Sequence, residues 1–313
     1  MKFDSIWRDV PYSAVLFVVL ATLWGGSFVA IEAGVSRWPP LLFAAVRYDL
    51  AGAVILVAAV FRGSQWRPTT RDDFGAIGVV AVFVVFAHHA LLYVGQQTVP
   101  GPVASAVVAL APVITAVVAP LLVSDEGLST TGYAGVALGF VGVVAVTDPG
   151  GTGGVDVAGT SLVFGATVAF AVGTLLLRRT SPDIAPTGMQ GWGMLAGAAL
   201  LHVGSRALGE PQVVPTSPTA LVSLWFLVLG PGVVAFHVYF RLLDDIGATR
   251  TTLVGYVEPA AAAALAFVLF GYVPTDAAFV GFSLVVVSFA LVEGDVLRGA
   301  ADDAVSRLRT ALQ

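Results

Sequence analysis

The chain has 313 residues, 57% of them hydrophobic and 11% charged, with mean hydropathy +0.90 and a formal net charge of −5. Soluble domains are about 45–50% apolar and about a quarter charged, so a soluble domain is excluded, and so is a disordered chain. The absence of cysteine removes disulfide scaffolds and thiolate chemistry, and no basic run exists that could track nucleic-acid phosphates.

A membrane protein remains, with the lipid bilayer as its solvent. A helix needs about 20 mostly apolar residues to cross the hydrocarbon core. Ten such stretches follow one another: 12–32, 39–61, 74–95, 101–123, 131–147, 159–177, 187–208, 219–240, 250–270 and 276–292. Turn or charge signals separate them, among them Pro39-Pro40, Ser124-Asp125-Glu126-Gly127, Glu210-Pro211 and Pro274. The faintest break is Gln96 to Pro100, which leaves nine or eleven spans open. Continuous rather than alternating apolar runs argue against a β-barrel. The first stretch reads as a retained helix rather than a cleaved signal, since its apolar run passes Trp24 without an A-x-A-type site.

Arginine placement tests the count. With ten spans and both termini cytoplasmic, cytoplasmic segments hold twelve basic residues: Lys2, Arg8, Arg62, Arg67, Arg71, Arg178, Arg179, Arg241, Arg250, Arg298, Arg307 and Arg309. External loops hold two, Arg37 and Arg206. This is the asymmetry of the positive-inside rule. Five spans per half is an odd number, so a second copy of the first half must lie inverted. A shift of about 147 residues brings Pro112 onto Pro259 and Ser105 near Thr252, with His89 and His237 one residue out of register. The expected fold is therefore all-α, with ten transmembrane helices in two inverted five-helix repeats, 12–147 and 159–293, and a cytoplasmic tail at 294–313. Inverted halves can exchange conformations and open a midplane site to either side in turn. Gly135, Gly139 and Gly142, and Gly193 with Gly197, are spaced for close helix packing.

Polar residues inside apolar spans are costly and mark candidate sites. Arg47 and Asp49 lie about 12 and 15 Å below the external end of the second span. Two residues apart, they point some 200° from each other and must find separate partners. Glu258 precedes Pro259, where the missing backbone donor loosens the helix. His89, Tyr93, Gln96 and Gln97 form one stripe on the third span, and His237, Arg241, Asp244 and Asp245 repeat it on the eighth. Both stripes also fit helix ends emerging into water. His88 reads as packed or interfacial; adjacent His88 and His89 cannot chelate a metal from one helix face, and no cofactor is expected. Trp24-Gly25-Gly26-Ser27 is either a cavity-facing bend or a close packing point; Pro112 and Pro259 are bend candidates.

Trp24-Gly25-Gly26-Ser27-Phe28, Ala45-Val46-Arg47-Tyr48, Leu110-Ala111-Pro112 ahead of Glu126, and Val257-Glu258-Pro259-Ala260 resemble the two halves of an EamA-type transporter of the drug/metabolite transporter superfamily, over about residues 12–293. The resemblance implies ten helices around a central cavity and substrates such as amino acids, nucleosides, drugs or other metabolites. Two positions depart from the family pattern: Gly271-Tyr272-Val273-Pro274 stands where an acidic residue is common, and Glu32 where a basic one is common. The expected function is a secondary exporter of a small molecule in the cell membrane, possessing no G-x-x-x-x-G-K-[ST] loop for ATP and so driven by a gradient, with protons first since Glu258, Asp49 and His89 can titrate. Arg47, Asp49, His89, Tyr93, Glu258, Trp24 and His237 are the candidate substrate or coupling residues. The alternatives are a receptor or scaffold, or an intramembrane enzyme, for which H-E-x-x-H and G-x-S-x-G are absent. The sequence leaves a homodimer open.

Overall fold

The computed structural model describes residues 12–123, 130–147, 156–247, 251 and 253–292; the expected tail and Glu126 lie outside them. Among the described residues the chain is all-helical, without strands: α1 (Tyr12–Val35), α2 (Pro40–Phe61), α3 (Arg71–Gly95), α4 (Gly101–Leu122), α5 (Thr130–Thr147), α6 (Val157–Leu177), α7 (Pro186–Ala207), α8 (Pro218–Ile246), α9 (Val254–Phe270) and α10 (Asp276–Val292). Seven of these (α1 to α6 and α8) are long and apolar enough to cross a membrane, and α9 and α10 are shorter apolar helices. Large apolar side chains such as Val57, Phe61, Val144 and Val268 lie exposed on the outside, as expected of a surface wetted by lipid.

Prolines and glycines set the boundaries. Proline opens α2, α7 and α8 in the first helical turn, where its missing N–H would be unpaired in any case. Gln96 to Pro100 is a true break between α3 and α4. Helix α4 is interrupted at Ala109-Leu110, just ahead of Pro112, whereas Pro259 lies inside the continuous helix α9. Among the described residues two stretches are π-helical, Val80–Ala87 in α3 and Gly230–Val234 in α8.

The packing is pairwise. Helix α5 runs along α10, α2 along α7, and α1 along α9; α3 packs on α6 and α7, α8 on α1 and α2, and α4 on α6. Glycines set several of these approaches. A side chain at Gly142 would meet the Gly281 carbonyl at 2.8 Å, and one at Gly135 the Ser288 carbonyl at 2.8 Å, so α5 and α10 touch backbone to backbone. Gly193 and Gly197 on α7 instead make room for the Val80 and Val85 side chains of α3. Helix α1 continues unbroken through Trp24 to Ser27. There Gly25 lies under the Glu258 carbonyl, where a Cβ would stand 2.5 Å from that oxygen, so these small residues serve packing rather than a bend.

Hydrogen bonds between connecting segments sort the loops into two ends. At one end, Asp73 accepts from the amides of Thr69 (2.8 Å), Thr70 (2.9 Å), Asp183 (2.8 Å) and Ile184 (2.9 Å), while Ala185 donates to the Gln65 carbonyl and the Trp192 indole to the Trp66 carbonyl. At the other, Glu210 accepts from the Leu41 and Leu42 amides, both at 3.0 Å, and the Trp38 indole donates to the Ala220 carbonyl at 3.3 Å. Each carboxylate thus satisfies free donors at or just before a helix N-terminus on a different part of the chain.

Candidate functional site

Arg47 and Tyr48 are consecutive on α2, yet both reach α3. Arg47 Nη1 donates to the Tyr93 hydroxyl at 2.7 Å, and the Tyr48 hydroxyl is bonded to His89 Nε2. His89 and Tyr93 can both serve because they stand one turn apart on one face of α3. The His89 tautomer follows from its other nitrogen. Nδ1 lies 3.1 Å from the Val84 carbonyl and 3.2 Å from that of Val85, so it carries the hydrogen, and Nε2 accepts from Tyr48. The wide winding of residues 80–87 ends immediately before these histidines, a common setting for π-helical turns at functional sites.

The surroundings of Arg47 are apolar and uncharged. Its guanidinium carbon stands 4.8 Å from the centre of the Tyr48 ring, Phe43 lies against Tyr93 at 5.5 Å, and Arg47 Nε is buried without a partner. His88 is also buried: its Nδ1 donates to the Ala166 carbonyl on α6 at 2.9 Å, and its ring packs on Phe170 at 5.4 Å. Of the packed and interfacial alternatives, it is the packed one.

Across the bundle, Trp24 of α1 packs edge-on to Phe236 (6.0 Å) and tilted against Tyr239 (5.4 Å), both of α8. His237 is exposed on the far side of that helix, and its neighbour Phe236 makes the contact instead. Glu258 of α9 is half-buried and makes no hydrogen bond among the described residues, although its own backbone carbonyl abuts Gly25.

Asp49 turns away from this group. Its carboxylate lies 2.7 Å from His202 Nε2 of α7, with 45% of the Asp49 side chain and 25% of the His202 side chain exposed. It borders the arc of α2 that exposes Ala53 and Val57, so the pair lies on the outer seam of α2 and α7. The bundle thus separates Arg47 and Asp49 onto different partners.

The end of the bundle above Arg47 is tightly joined. Glu32, near the end of α1, accepts from the Gly101 amide at 2.7 Å, and Gln96 donates from its side-chain nitrogen to the Phe28 carbonyl at 2.9 Å. Asp156 caps α6 through the Gly159 amide (2.8 Å) and accepts from the Thr98 hydroxyl at 3.0 Å. Those bonds, the Gly159 amide first, hold the Asp156 carboxyl below its ordinary range. Burial and then the nearby Glu32 carboxylate push the Tyr272 hydroxyl up. Gln97, the last member of the α3 stripe, is exposed.

Several of these residues escape a reading of the sequence. His202 is a histidine inside an apolar span and was visible as such. Phe170, Phe236 and Asp73 carry no local signal, because an aromatic in a membrane helix or an acid at a helix start is ordinary.

Comparison with known proteins bears on this arrangement. The model of the EamA-like transporter family matches residues 12–147 and again 157–293. The chain is 26% identical over 296 residues to the uncharacterized inner membrane transporter YedA of Escherichia coli (strain K12), covering 93% of this chain and 92% of that protein. It is 23% identical over 280 residues to the uncharacterized transporter YvbV of Bacillus subtilis (strain 168), covering 90% and 91%. It is 25% identical over 280 residues to a probable terminal-alkyne amino-acid exporter of Streptantibioticus cattleyicolor, covering 88% and 91%. A solved crystal structure matches with a TM-score of 0.62 at 22% identity, over 89% of this chain and 95% of the other, a likeness of fold.

Proposed function

Because this chain belongs to the EamA-like transporter family of multi-pass membrane proteins, we propose that it is a secondary active exporter of a small metabolite, working by alternating access between two inverted five-helix halves, 12–147 and 159–293. The observation that carries this reading is a pair of matched contacts. His88 of α3 packs on Phe170 of α6, and Phe236 of α8 packs on Trp24 of α1. Exchanging each helix for the one five places away turns the first contact into the second.

Other features obey the same exchange. The π-helical stretches of α3 and α8 both run into the segments bearing these residues. Asp73, opening α3, binds the segment before α7, while Glu210, preceding α8, binds the start of α2, at the opposite end. Pairs α2–α7 and α5–α10 map onto themselves, α3–α6 onto α8–α1, and α4–α6 onto α9–α1. With ten crossings and an odd number in each half, such an exchange requires inversion.

The two ends are not in the same state. At the Glu32 end α1 packs against α4 and bonds to it; among the described residues α6 has no comparable packing against α9. A carrier caught with one end joined and the other parted would look this way. Arginine asymmetry supports a reading with the joined end outside and both chain termini in the cytoplasm.

Energy comes from a gradient, and protons are the first choice. Glu258, half-buried and without a hydrogen bond among the described residues, is the strongest candidate for the exchanging carboxyl, with His89 and Asp49 next. The relative named as an amino-acid exporter supports an amphipathic, amino-acid-like cargo. Purified protein in proteoliposomes containing a pH-sensitive dye tests this. Cargo-dependent proton movement is expected from the wild type and a loss of it from Glu258→Gln. Unchanged proton movement in that variant removes Glu258 from the coupling step, and no transport of any metabolite overturns the carrier reading.

A further inference from the structure

Arg47 is only 5% exposed, and no carboxylate among the described residues pairs with it. Its guanidinium makes one hydrogen bond, from Nη1 to Tyr93, and Nε is buried and unmet. The groups around it carry no negative charge: the Tyr48 ring, the Tyr93 hydroxyl and the His89 imidazole. This contrasts with Asp73 and Glu210, buried or half-buried charges that the fold surrounds with donors. A buried cation with no counter-charge costs free energy that folding alone does not return.

The geometry of the fork indicates what is missing. Tyr93 fixes the guanidinium at Nη1, the nitrogen on the Cδ side, which leaves the opposite edge of Nε and Nη2. That edge presents two parallel N–H donors at the spacing of two carboxylate oxygens. The Tyr48 ring lies 4.8 Å from the guanidinium carbon, and Phe43 packs on Tyr93, the ring bonded at Nη1. We infer that Arg47 receives the carboxylate of the transported solute on its Nε–Nη2 edge, in aromatic surroundings that suit a solute with an apolar or aromatic tail. This rests on the carrier reading above, since the guanidinium lies under the joined end and is reached only when the bundle rearranges.

The test compares acids with their amides, which lack the carboxylate, on the intact chain in nanodiscs. L-phenylalanine, L-leucine and phenylacetate are titrated against L-phenylalaninamide, L-leucinamide and phenylacetamide, with the shift in melting temperature as the readout. The acids are expected to stabilise the protein, and each amide to bind at least about tenfold more weakly. Arg47→Met is expected to abolish the preference for acids and Arg47→Lys to keep part of it. Equal shifts from acids and amides, no shift from any acid, or an undiminished preference in Arg47→Met overturns the assignment; where Arg47→Met does not fold, the wild-type pairs decide alone. Counterflow of radiolabelled phenylalanine separates the two levels. Acid-selective binding without transport overturns the carrier and leaves the Arg47 site standing, whereas transport without acid selectivity does the reverse.

Discussion

Arg47 of α2 and Tyr93 of α3 are joined at 2.7 Å by a hydrogen bond that is the only one the guanidinium makes among the described residues. Tyr93 is 0% exposed, so water cannot replace the phenol when it is removed. Tyr93→Phe keeps the ring and deletes the acceptor. Stability is expected to fall by about 1–3 kcal/mol, measured by thermal unfolding in detergent, with Arg47→Met/Tyr93→Phe no less stable than Arg47→Met alone.

Asp73 binds four amides with its two oxygens and ties the segment before α7 to the start of α3. Asp73→Asn turns one of those oxygens into a donor facing donors. Tm is expected to drop on the order of 5–10 °C. Glu210→Gln, in a half-buried clamp with two amides, is expected to lower Tm by less.

Gly25 and Gly75 separate a glycine required by packing from one that is not. A Cβ on Gly25 meets the Glu258 carbonyl at 2.5 Å and the Ala261 Cβ at 2.9 Å, whereas at Gly75 nothing stands within 4 Å. Gly25→Ala is expected to destabilise by about 1–3 kcal/mol, because α1 and α9 must part. Gly75→Ala, inside the first turns of α3, is expected to stabilise by about 0.5–1 kcal/mol. Urea or thermal unfolding of the two variants side by side checks the opposite signs.

Asp156 titrates below its ordinary value of 3.8, held down by the Gly159 amide and then the Thr98 hydroxyl. Its stabilisation is therefore fully present above that value and disappears as pH falls through the lower folded-state value. A Tm profile against pH is expected to show a smaller acid loss in Asp156→Asn than in the wild type. At neutral pH the variant is expected to melt a few degrees lower.

Phe236, not the adjacent His237, contacts Trp24. Phe236→Ala is expected to reduce transport in proteoliposomes about tenfold or more, while exposed His237→Ala stays near wild type. Equal losses from both would show that the aromatic contact has no special part in the cycle.

The sequence by itself determined most of where the described residues are helical and where they turn, though not the interruption of α4 at Ala109-Leu110 or the unbroken run of α9 through Pro259. Lipid offers no hydrogen bonds, so each apolar run must close its own backbone bonds, and the breaks fall at Pro39-Pro40, Gln96 to Pro100 and Glu210-Pro211 for local reasons. It also singled out Arg47, Glu258 and the histidine pair, since any ionisable group in an apolar run is conspicuous. What only the tertiary structure decided is which face of each helix looks where. Most of these helices are apolar almost all round, so periodicity gives no preferred direction, and orientation is set by glycines that let particular backbones touch; the end of α8, Ala235–Ile246, is amphipathic and buries Ala235, Val238 and Leu242. That is why Asp49 met His202 on the outer seam and why Arg47 was left beside two tyrosines without a counter-charge.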